Sequence, residues 1–310
     1  MSPAERRQLA TKRLQNVLGS LTIANGRTLE NKISDAGPLN QRIEPHVLTP
    51  VRQLLERQRK ILRVEDHTTW YRLADTPESE WRPRLDELSA IHSPLAKQSF
   101  TTRLGQSLEI AIYKALLQTG RFEFLGAFLN LAEPDDSAPY LKEEPPTSIS
   151  GLTIPSRKHL DFLLLLQDDR AGIEAKNIRE WLYPHALEIR ELFLKCCAID
   201  AVPVLIARRI PYITFAVMNA CGAIVHQTYN QRFPQSDAAL AAKAKDKLLL
   251  GYHDIRLGNE PDARLLKFVG ENLPKVLPAA RQRFDSTKDL LQAYANSEIS
   301  YKRLMKSIMN

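Results

Sequence analysis

Residues 161–177 combine a continuous apolar run with a segment in which apolar and charged residues alternate. DFLLLLQ, which begins at Asp161, is nearly all apolar, as is typical of a strand covered on both faces of a sheet. After the turn QDDRAG, the segment GIEAKN alternates, so Glu174 and Lys176 share one face. In an antiparallel hairpin, the start of the first strand lies beside the end of the second. The pattern therefore predicts Asp161 within about 5 Å of Glu174 and Lys176.

The segments around this hairpin predict a layered α/β arrangement. SFTTRLGQSLEIAIYKALLQTG has helical spacing and ends at Gly120, and FEFLGAFLN follows as a first strand. After the hairpin, LYPHALEIRELFLKCCAIDA predicts a long helix, VPVLIARR a fourth strand and YITFAVMNACGAIVHQTY further strands. The chain from residue 236 onwards is mainly helical and basic in pattern.

The N-terminal part has a different pattern of three helices and a short hairpin. AERRQLATKRLQNVL and RTLENKI have helical spacing, and LTPVRQLLERQRKI predicts a third helix with Thr49 as N-cap and Pro50 at the first position. We expect Val51, Leu54 and Leu55 to face a core. The runs ILRV and TWYRLA, on either side of EDHT, predict a compact β-hairpin.

Composition and charge narrow the classes of function. The 310 residues are 44% apolar and 25% charged, and the formal net charge of +7 favours a polyanionic partner. Three cysteines suggest neither a disulfide framework nor a zinc site. The chain has no GxxxxGK[ST] loop, so ATP-driven translocation is not indicated. The N-terminus lacks a signal-peptide core and no long apolar span occurs, so we expect a cytoplasmic protein with no membrane partner.

The predicted hairpin brings together groups suited to metal-assisted hydrolysis. Two nearby carboxylates, here Asp161 and Glu174, repel each other unless a cation or a proton lies between them. Oxygen ligands suit Mg²⁺ or Mn²⁺, and Lys176 is placed to steer an attacking water and offset phosphate charge. Glu109 lies on an apolar side of its predicted helix, together with Ile112, Tyr113 and Leu116. An acid on such a side indicates a functional role.

With these residues in place, the segment 99–230 resembles the PD-(D/E)xK nuclease superfamily, which has the restriction-endonuclease-like fold. Asp161 and the IEAK run carry the resemblance, although Leu160 stands where many members have proline. The resemblance implies a DNA endonuclease of restriction or defence type, whose products carry a 5′-phosphate. It assigns metal binding to Glu109, Asp161, Glu174 and the carbonyl of Ala175, and orientation of the attacking water to Lys176.

Residues 5–75 resemble winged helix-turn-helix domains, in which a basic recognition helix leads directly into the wing. The segment RQLLERQRKILRVEDHTTWYRLA has this order. The resemblance implies that outward-facing side chains of the third helix contact double-stranded DNA; they are Arg52, Gln53, Arg57, Arg59 and Lys60. Such domains also occur as modules that mediate only protein contacts.

Together these patterns predict an α/β chain with a restriction-endonuclease-like core, a mixed sheet flanked by helices, preceded by an α+β winged-helix domain. We expect the winged helix in residues 1–75, a linker in 76–98, the nuclease core in 99–235 and a helical C-terminal extension in 236–310. A duplex has two strands to cut, so a homodimer is expected.

Alternative interpretations remain open at the level of sequence. The chain could be a non-catalytic winged-helix regulator that binds DNA, or a partner-dependent nuclease subunit of a defence or mobile-element complex. A purely structural interpretation pairs Asp161 with Arg157 or Lys158, and makes Glu174 and Lys176 an ion pair at a sheet edge. Surface pairs of that kind are common and contribute little stability.

Overall fold

The computed structural model describes residues 1–35, 41–132, 136–155, 158–166 and 169–309. The chain divides into two compact units, Met1–Thr101 with Asp237–Ile255, and Thr102–Ser236 with Arg256–Asn310. Both helices and strands are present throughout, so the protein is of mixed α/β type. Among the described helices, none has the combination of length and apolar character that crossing a membrane requires.

The elements follow each other in a mixed order. The helices are α1 (Pro3–Leu21), α2 (Gly26–Ile33), α3 (Pro45–Arg57), α4 (Glu78–Ala96), α5 (Gln98–Thr119), α6 (Leu187–Ala198), α7 (Tyr212–Ala220), α8 (Ala238–Lys245), α9 (Ala263–Lys267), α10 (Leu273–Ala295) and α11 (Tyr301–Met309). The strands are β1 (Ile23–Asn25), β2 (Ile61–Asp66), β3 (Thr68–Leu73), β4 (Glu123–Leu125), β5 (Ala127–Phe128), β6 (Lys142–Glu143), β7 (Ser148–Ile149), β8 (Leu152–Thr153), β9 (Phe162–Leu165), β10 (Arg170–Lys176), β11 (Val202–Ala207), β12 (Ile224–Gln227), β13 (Gln231–Phe233) and β14 (Ile255–Leu257). A π-helical turn, Phe268–Asn272, joins α9 to α10.

The first unit contains a three-stranded antiparallel sheet of order β1-β3-β2. The predicted hairpin is confirmed as β2 and β3, which turn at His67, a residue with a positive φ of 52°. Helices α1, α2 and α3 share one buried apolar cluster with this sheet, formed by residues such as Leu14, Leu18, Ile33, Val51, Leu55, Ile61 and Tyr71. The order of elements is therefore helix, strand, helix, helix and hairpin.

Two expectations for α3 are wrong. The helix begins at Pro45, with Glu44 as N-cap, so Pro50 lies inside the helix rather than at its first position. Proline is favoured at a first position, because its missing N–H has no partner there in any case, and Pro45 meets that condition. The buried stripe is Leu48, Val51 and Leu55, while Leu54 is 46% exposed.

The segment 76–98 is a helix almost throughout and not an irregular linker. Helix α4 spans Glu78–Ala96 and includes Pro83 and Pro94. Four apolar side chains repeat at helical spacing along one side of it and are buried: Trp81, Leu85, Leu88 and Ile91. This apolar stripe outweighs the helix-breaking tendency of the two prolines within α4.

The second unit is built around a five-stranded mixed sheet of order β12-β11-β10-β9-β4. Strands β10, β11 and β12 are parallel, whereas β9 is antiparallel to both β10 and β4. In β9, Phe162 and Leu164 join one buried cluster with α5, and Leu163 joins another with α6. Both faces of β9 are thus covered by helices, as its continuous apolar run predicts.

Three further expectations for the second unit differ from the structure. YITFAVMNA forms helix α7 rather than a strand, and FEFLGAFLN is divided at Gly126 into β4 and β5. Residues 256–310 are not an appended extension, because α10 buries Leu277 in one core cluster and Phe284 in the other. Residues 237–255, which include α8, belong to the first unit.

Candidate active site

The β9–β10 hairpin places Asp161 beside the EAK segment, as the alternation predicts. The register pairs Phe162 with Ile173, so Asp161 directly precedes β9 at the edge of this pairing. Its backbone N–H donates to the carbonyl of Ile173 at 3.0 Å, and its Oδ2 accepts from the N–H of Ala175 at 2.7 Å. The carboxylate of Asp161 is therefore held against the backbone between Glu174 and Lys176.

Glu174 lies on the central strand β10 with an ammonium group at each of its carboxylate oxygens. Its Oε1 is 2.7 Å from Nζ of Lys176, and its Oε2 is 2.9 Å from Nζ of Lys195 in α6. Lys195 also donates to the carbonyl of His159 at 2.7 Å. Glu174 and Lys195 are only 4% and 3% exposed, so this is a buried network.

The purely structural interpretation predicts the Glu174–Lys176 ion pair, which is present, but places it at the wrong position in the sheet. β10 has β9 on one side and β11 on the other, so Glu174 and Lys176 are an ion pair within the sheet and not at its edge. The ammonium group of Lys158 pairs with Glu191. Arg157 lies outside the described residues.

Glu109 reaches the same cluster from helix α5, where Lys142 of β6 connects it to Asp161. Nζ of Lys142 is 2.8 Å from Oε2 of Glu109, 3.1 Å from Oδ1 of Asp161 and 3.1 Å from Oε2 of Glu144. The Lys142 side chain is 9% exposed. One nearly buried ammonium group thus bridges carboxylates from three separate segments.

Burial and repulsion from Asp161 shift Glu109 and Glu174 towards the protonated form. Desolvation, with a smaller contribution from Asp161, raises the pKa of Glu109 to about 7 against the opposing charge of Lys142. The pKa of Glu174 is also raised, chiefly by burial and then by Asp161. Desolvation lowers the pKa of Lys142 and of Lys176, but the adjacent carboxylates outweigh it and the net direction is upward. Both lysines are therefore charged at neutral pH.

The donor atoms of this cluster suit a hard divalent cation. Glu109 and Asp161 direct oxygens at one cation, the Lys142 ammonium, at 2.8 and 3.1 Å. Carboxylate oxygens are the ligands that Mg²⁺ and Mn²⁺ prefer. Within the described part of the chain, no group of three or more His, Cys, Asp and Glu side chains is arranged to hold a metal ion, because lysines separate the acids. The predicted ligands thus have the oxygen donors that a divalent cation prefers, and lysine ammonium groups lie between them.

Two glycines permit the close packing that assembles the cluster. Gly126 has a φ of 106°, and a Cβ there would lie 2.8 Å from the backbone oxygen of Asp161. A Cβ on Gly172 would lie 2.8 Å from Sγ of Cys196 in α6. The contact at Gly172 lets α6 approach β10 closely enough for Lys195 to reach Glu174.

Sequence reasoning missed Lys142 and Lys195. Lys142 comes from a polar segment, LKEEPP, whose pairing with β5 involves no recognisable local pattern. Lys195 carried a usable signal, because it lies among Leu192, Phe193 and Cys196 on a buried side of α6. The argument that singles out Glu109, a charge on an apolar helix side, applies equally to Lys195.

The residues expected to contact DNA divide into two groups. Gln53 and Arg57 of α3 are exposed, and so are Arg59 and Lys60, which lie in the turn after the end of α3 and not within the helix. Arg52 does not face outward, because its guanidinium lies 4.4 Å above the ring of Tyr71 and its Nε is 3.5 Å from Oε1 of Glu56. It packs against its own unit, and the expectation of an outward Arg52 is wrong.

Comparisons with models of protein families, with curated proteins and with solved structures found no match. The buried cluster of acids and lysines around β9 and β10 carries the most specific chemistry among the residues described above.

Proposed function

We propose that this chain is a metal-dependent DNA endonuclease of restriction or defence type, which hydrolyses phosphodiester bonds. The observation that carries the proposal is the convergence of acids and lysines on one hairpin. Asp161 is fixed to the N–H of Ala175, Glu174 binds Lys176, and Glu109 shares Lys142 with Asp161. A five-stranded mixed sheet between helices supports the comparison with PD-(D/E)xK nucleases.

Each side chain has a distinct role in this proposal. Glu109, Asp161, Glu174 and the carbonyl of Ala175 hold the cation. Mg²⁺ or Mn²⁺ supplies Lewis acidity towards the phosphate and the attacking water. Lys176, whose Nζ is 2.7 Å from Oε1 of Glu174, orients that water and offsets charge on the phosphate. Lys195 fixes the carboxylate of Glu174 from the opposite side.

The first unit is the proposed DNA-binding part. Its order of helix, strand, helix, helix and hairpin supports the comparison with winged-helix domains. Its third helix exposes Gln53 and Arg57, and the turn that follows exposes Arg59 and Lys60. The net charge of the whole chain, +7, favours association with the phosphate backbone of duplex DNA. We further propose that a homodimer cuts both strands and leaves 5′-phosphates.

A plasmid assay tests the proposed chemistry. Supercoiled DNA, modified and unmodified, is incubated with the protein and Mg²⁺, Mn²⁺ or EDTA. Glu174→Gln and Lys176→Met keep side-chain size, and we expect each to lower the cleavage rate by about 10²-fold or more while DNA binding persists. Lys114→Met is the matched control, because Lys114 pairs with Glu260 and Asn259 away from the cluster. If the wild-type protein cleaves neither DNA with either metal, the proposal of an autonomous nuclease is wrong.

One observation favours a second function, DNA binding without catalysis. Lys142, Lys176 and Lys195 already neutralise the buried acids, so the cluster is stable as an ion-pair network without a metal. As a regulator, or as a nuclease subunit that needs a partner, the chain would bind DNA and cut none alone. Lys176→Met would then change neither the binding nor the cleavage measured with the isolated chain.

A further inference from the structure

The ammonium group of Lys142 lies where the two carboxylates Glu109 and Asp161 converge. Its Nζ is 2.8 Å from one and 3.1 Å from the other, and the side chain is 9% exposed. The same side chain lies 5.7 Å from the centre of the Phe162 ring, so it extends along the covered face of β9. A buried charge in this position is stable only because both acids compensate it.

The balance of charge in the cluster leaves little room for an additional cation. Its inner ionisable groups are three carboxylates, Glu109, Asp161 and Glu174, and three ammonium groups, Lys142, Lys176 and Lys195. With every group ionised, these six are neutral together. A divalent ion added to them gives two net positive charges, whereas a divalent ion that displaces one ammonium group to an outer partner gives one. Replacement is therefore favoured over addition in this partly buried place.

Lys142 is the lysine that can be replaced with least loss. Lys195 is bound on two sides, by Glu174 and the carbonyl of His159, and Lys176 lies two residues along the same strand from Glu174, with which it pairs. Lys142 has an outward partner, because Glu144 is 3.1 Å away and its side chain is 42% exposed. The flexible stem of lysine lets the ammonium group turn towards Glu144 while the inner carboxylates are released.

We propose that Lys142 is an internal cation of the metal-free protein, and that a divalent metal binds Glu109 and Asp161 by displacing its ammonium group. The inference rests on the proposed function, since it assigns the metal to two of the same acids. Lys142 is then a positioning residue that keeps the two carboxylates together before the metal arrives. Lys142 also sets a threshold metal concentration for binding. Displacing its ammonium group costs free energy, so a higher metal concentration is required to fill the site.

Metal binding by the metal-free full chain tests this inference directly. Mn²⁺ and Mg²⁺ are titrated into wild type, Lys142→Met and the control Lys114→Met by isothermal titration calorimetry. We expect Lys142→Met to bind Mn²⁺ at least about tenfold more tightly than wild type, because no ammonium group has to be displaced. We expect Lys114→Met to bind as wild type does. Equal or weaker binding by Lys142→Met would overturn the inference.

Thermal unfolding gives a second readout that does not depend on catalysis. Without metal, Lys142→Met leaves the partly buried Glu109 and Asp161 without their shared cation, so its midpoint should fall below that of wild type. Added Mn²⁺ should then raise this midpoint by more than it raises the midpoint of wild type. Lys142→Gln, which keeps a hydrogen-bond donor, is measured in the same way in case Lys142→Met does not fold. If neither variant gains more from Mn²⁺ than wild type does, the inference is wrong.

The same variants separate this inference from the proposed nuclease activity. If wild type cleaves plasmid with metal but Lys142→Met binds metal no more tightly than wild type, the proposed nuclease activity stands and the proposed role of Lys142 is wrong. If Lys142→Met binds metal more tightly but wild type cleaves no DNA, the displacement of Lys142 by metal stands and the proposed nuclease activity is wrong.

Discussion

Glu174 in the sheet of the second unit and Arg57 in helix α3 of the first unit are both charged, but their surroundings differ in kind. Glu174 is 4% exposed and accepts hydrogen bonds from Lys176 and Lys195, and each contact holds the lysine side chain in place. Arg57 lies in the last turn of α3 and is exposed. Charge is thus part of the internal structure in one region and part of the surface in the other.

This difference has consequences for what each region can do. Buried ions keep their geometry, because a misplaced partner leaves an uncompensated charge in a medium of low dielectric constant. They are suited to chemistry that needs fixed distances. Exposed ions contribute little to stability and stay hydrated, which suits them to contacts with a polyanion. Substitutions should therefore separate the regions, with stability effects in the sheet and binding effects on α3.

The largest expected difference comes from Lys195→Met compared with Arg57→Met. Lys195→Met removes one of two cations from a buried carboxylate, and breaking such a pair typically costs about 3 to 5 kcal/mol. Arg57→Met should change the free energy of unfolding by no more than about 0.5 kcal/mol, because the side chain is exposed. Denaturant unfolding at pH 7 measures both. Equal losses would show that burial does not distinguish the two positions.

A second difference concerns pH and the histidines of the two units. His226 in β12 stacks on Phe268 with ring centres 4.3 Å apart. Burial, with a smaller effect of Arg264, lowers its pKa to about 4. The folded protein therefore keeps His226 neutral between pH 6.5 and 4, where the unfolded chain takes up a proton, and stability falls as the pH falls through this range. The cost is about 1.4 kcal/mol per pH unit at most.

His226→Gln checks this expectation. The loss of unfolding free energy between pH 7 and pH 5 should become about 2 kcal/mol smaller than in wild type, because that contribution no longer titrates. His67→Gln is the matched control in the first unit, since the His67 side chain is 83% exposed. A wild-type pH dependence that His226→Gln leaves intact would assign the acid sensitivity to other groups.

The sheet region could be predicted further from sequence than the helix region, for a physical reason. Strand alternation is local, so the facing of Glu174 and Lys176 and the approach of Asp161 follow from a single hairpin. Lys142 could not be predicted in the same way, because it reaches the site through the pairing of β6 with β5. That pairing depends on contacts between segments far apart in the chain.

In α3 the prediction failed for two residues at the border between the apolar and polar sides of the helix. The apolar character of Leu54 predicts a core position, and the charge of Arg52 predicts a surface one. In the structure Leu54 is exposed and Arg52 packs over Tyr71. An amphipathic helix with arginine near its apolar side can be read either way, because the arginine stem covers apolar surface while its head stays polar.

A third prediction addresses binding by α3. Replacing Arg57, Arg59 and Lys60 together by Gln should leave stability nearly unchanged and weaken duplex binding. The slope of log affinity against log salt should fall by about 0.9 for each phosphate that the variant no longer neutralises. Fluorescence anisotropy at several salt concentrations measures it. Arg52→Gln is the control, because it removes a cation–π interaction worth about 1 kcal/mol and should lower stability without altering the salt slope.

The smallest effect is expected at Leu54, and it tests the orientation of α3 most directly. Leu54 is 46% exposed, so Leu54→Gln should change the free energy of unfolding by no more than about 0.5 kcal/mol. Leu55, its neighbour, is 3% exposed, and Leu55→Ala should cost about 2 to 5 kcal/mol through the cavity it leaves. Denaturant unfolding of both variants compares the two sides of the helix. If Leu54→Gln costs as much as Leu55→Ala, α3 is rotated about its axis relative to the structure, and Gln53 and Arg57 do not present a common outer surface to DNA.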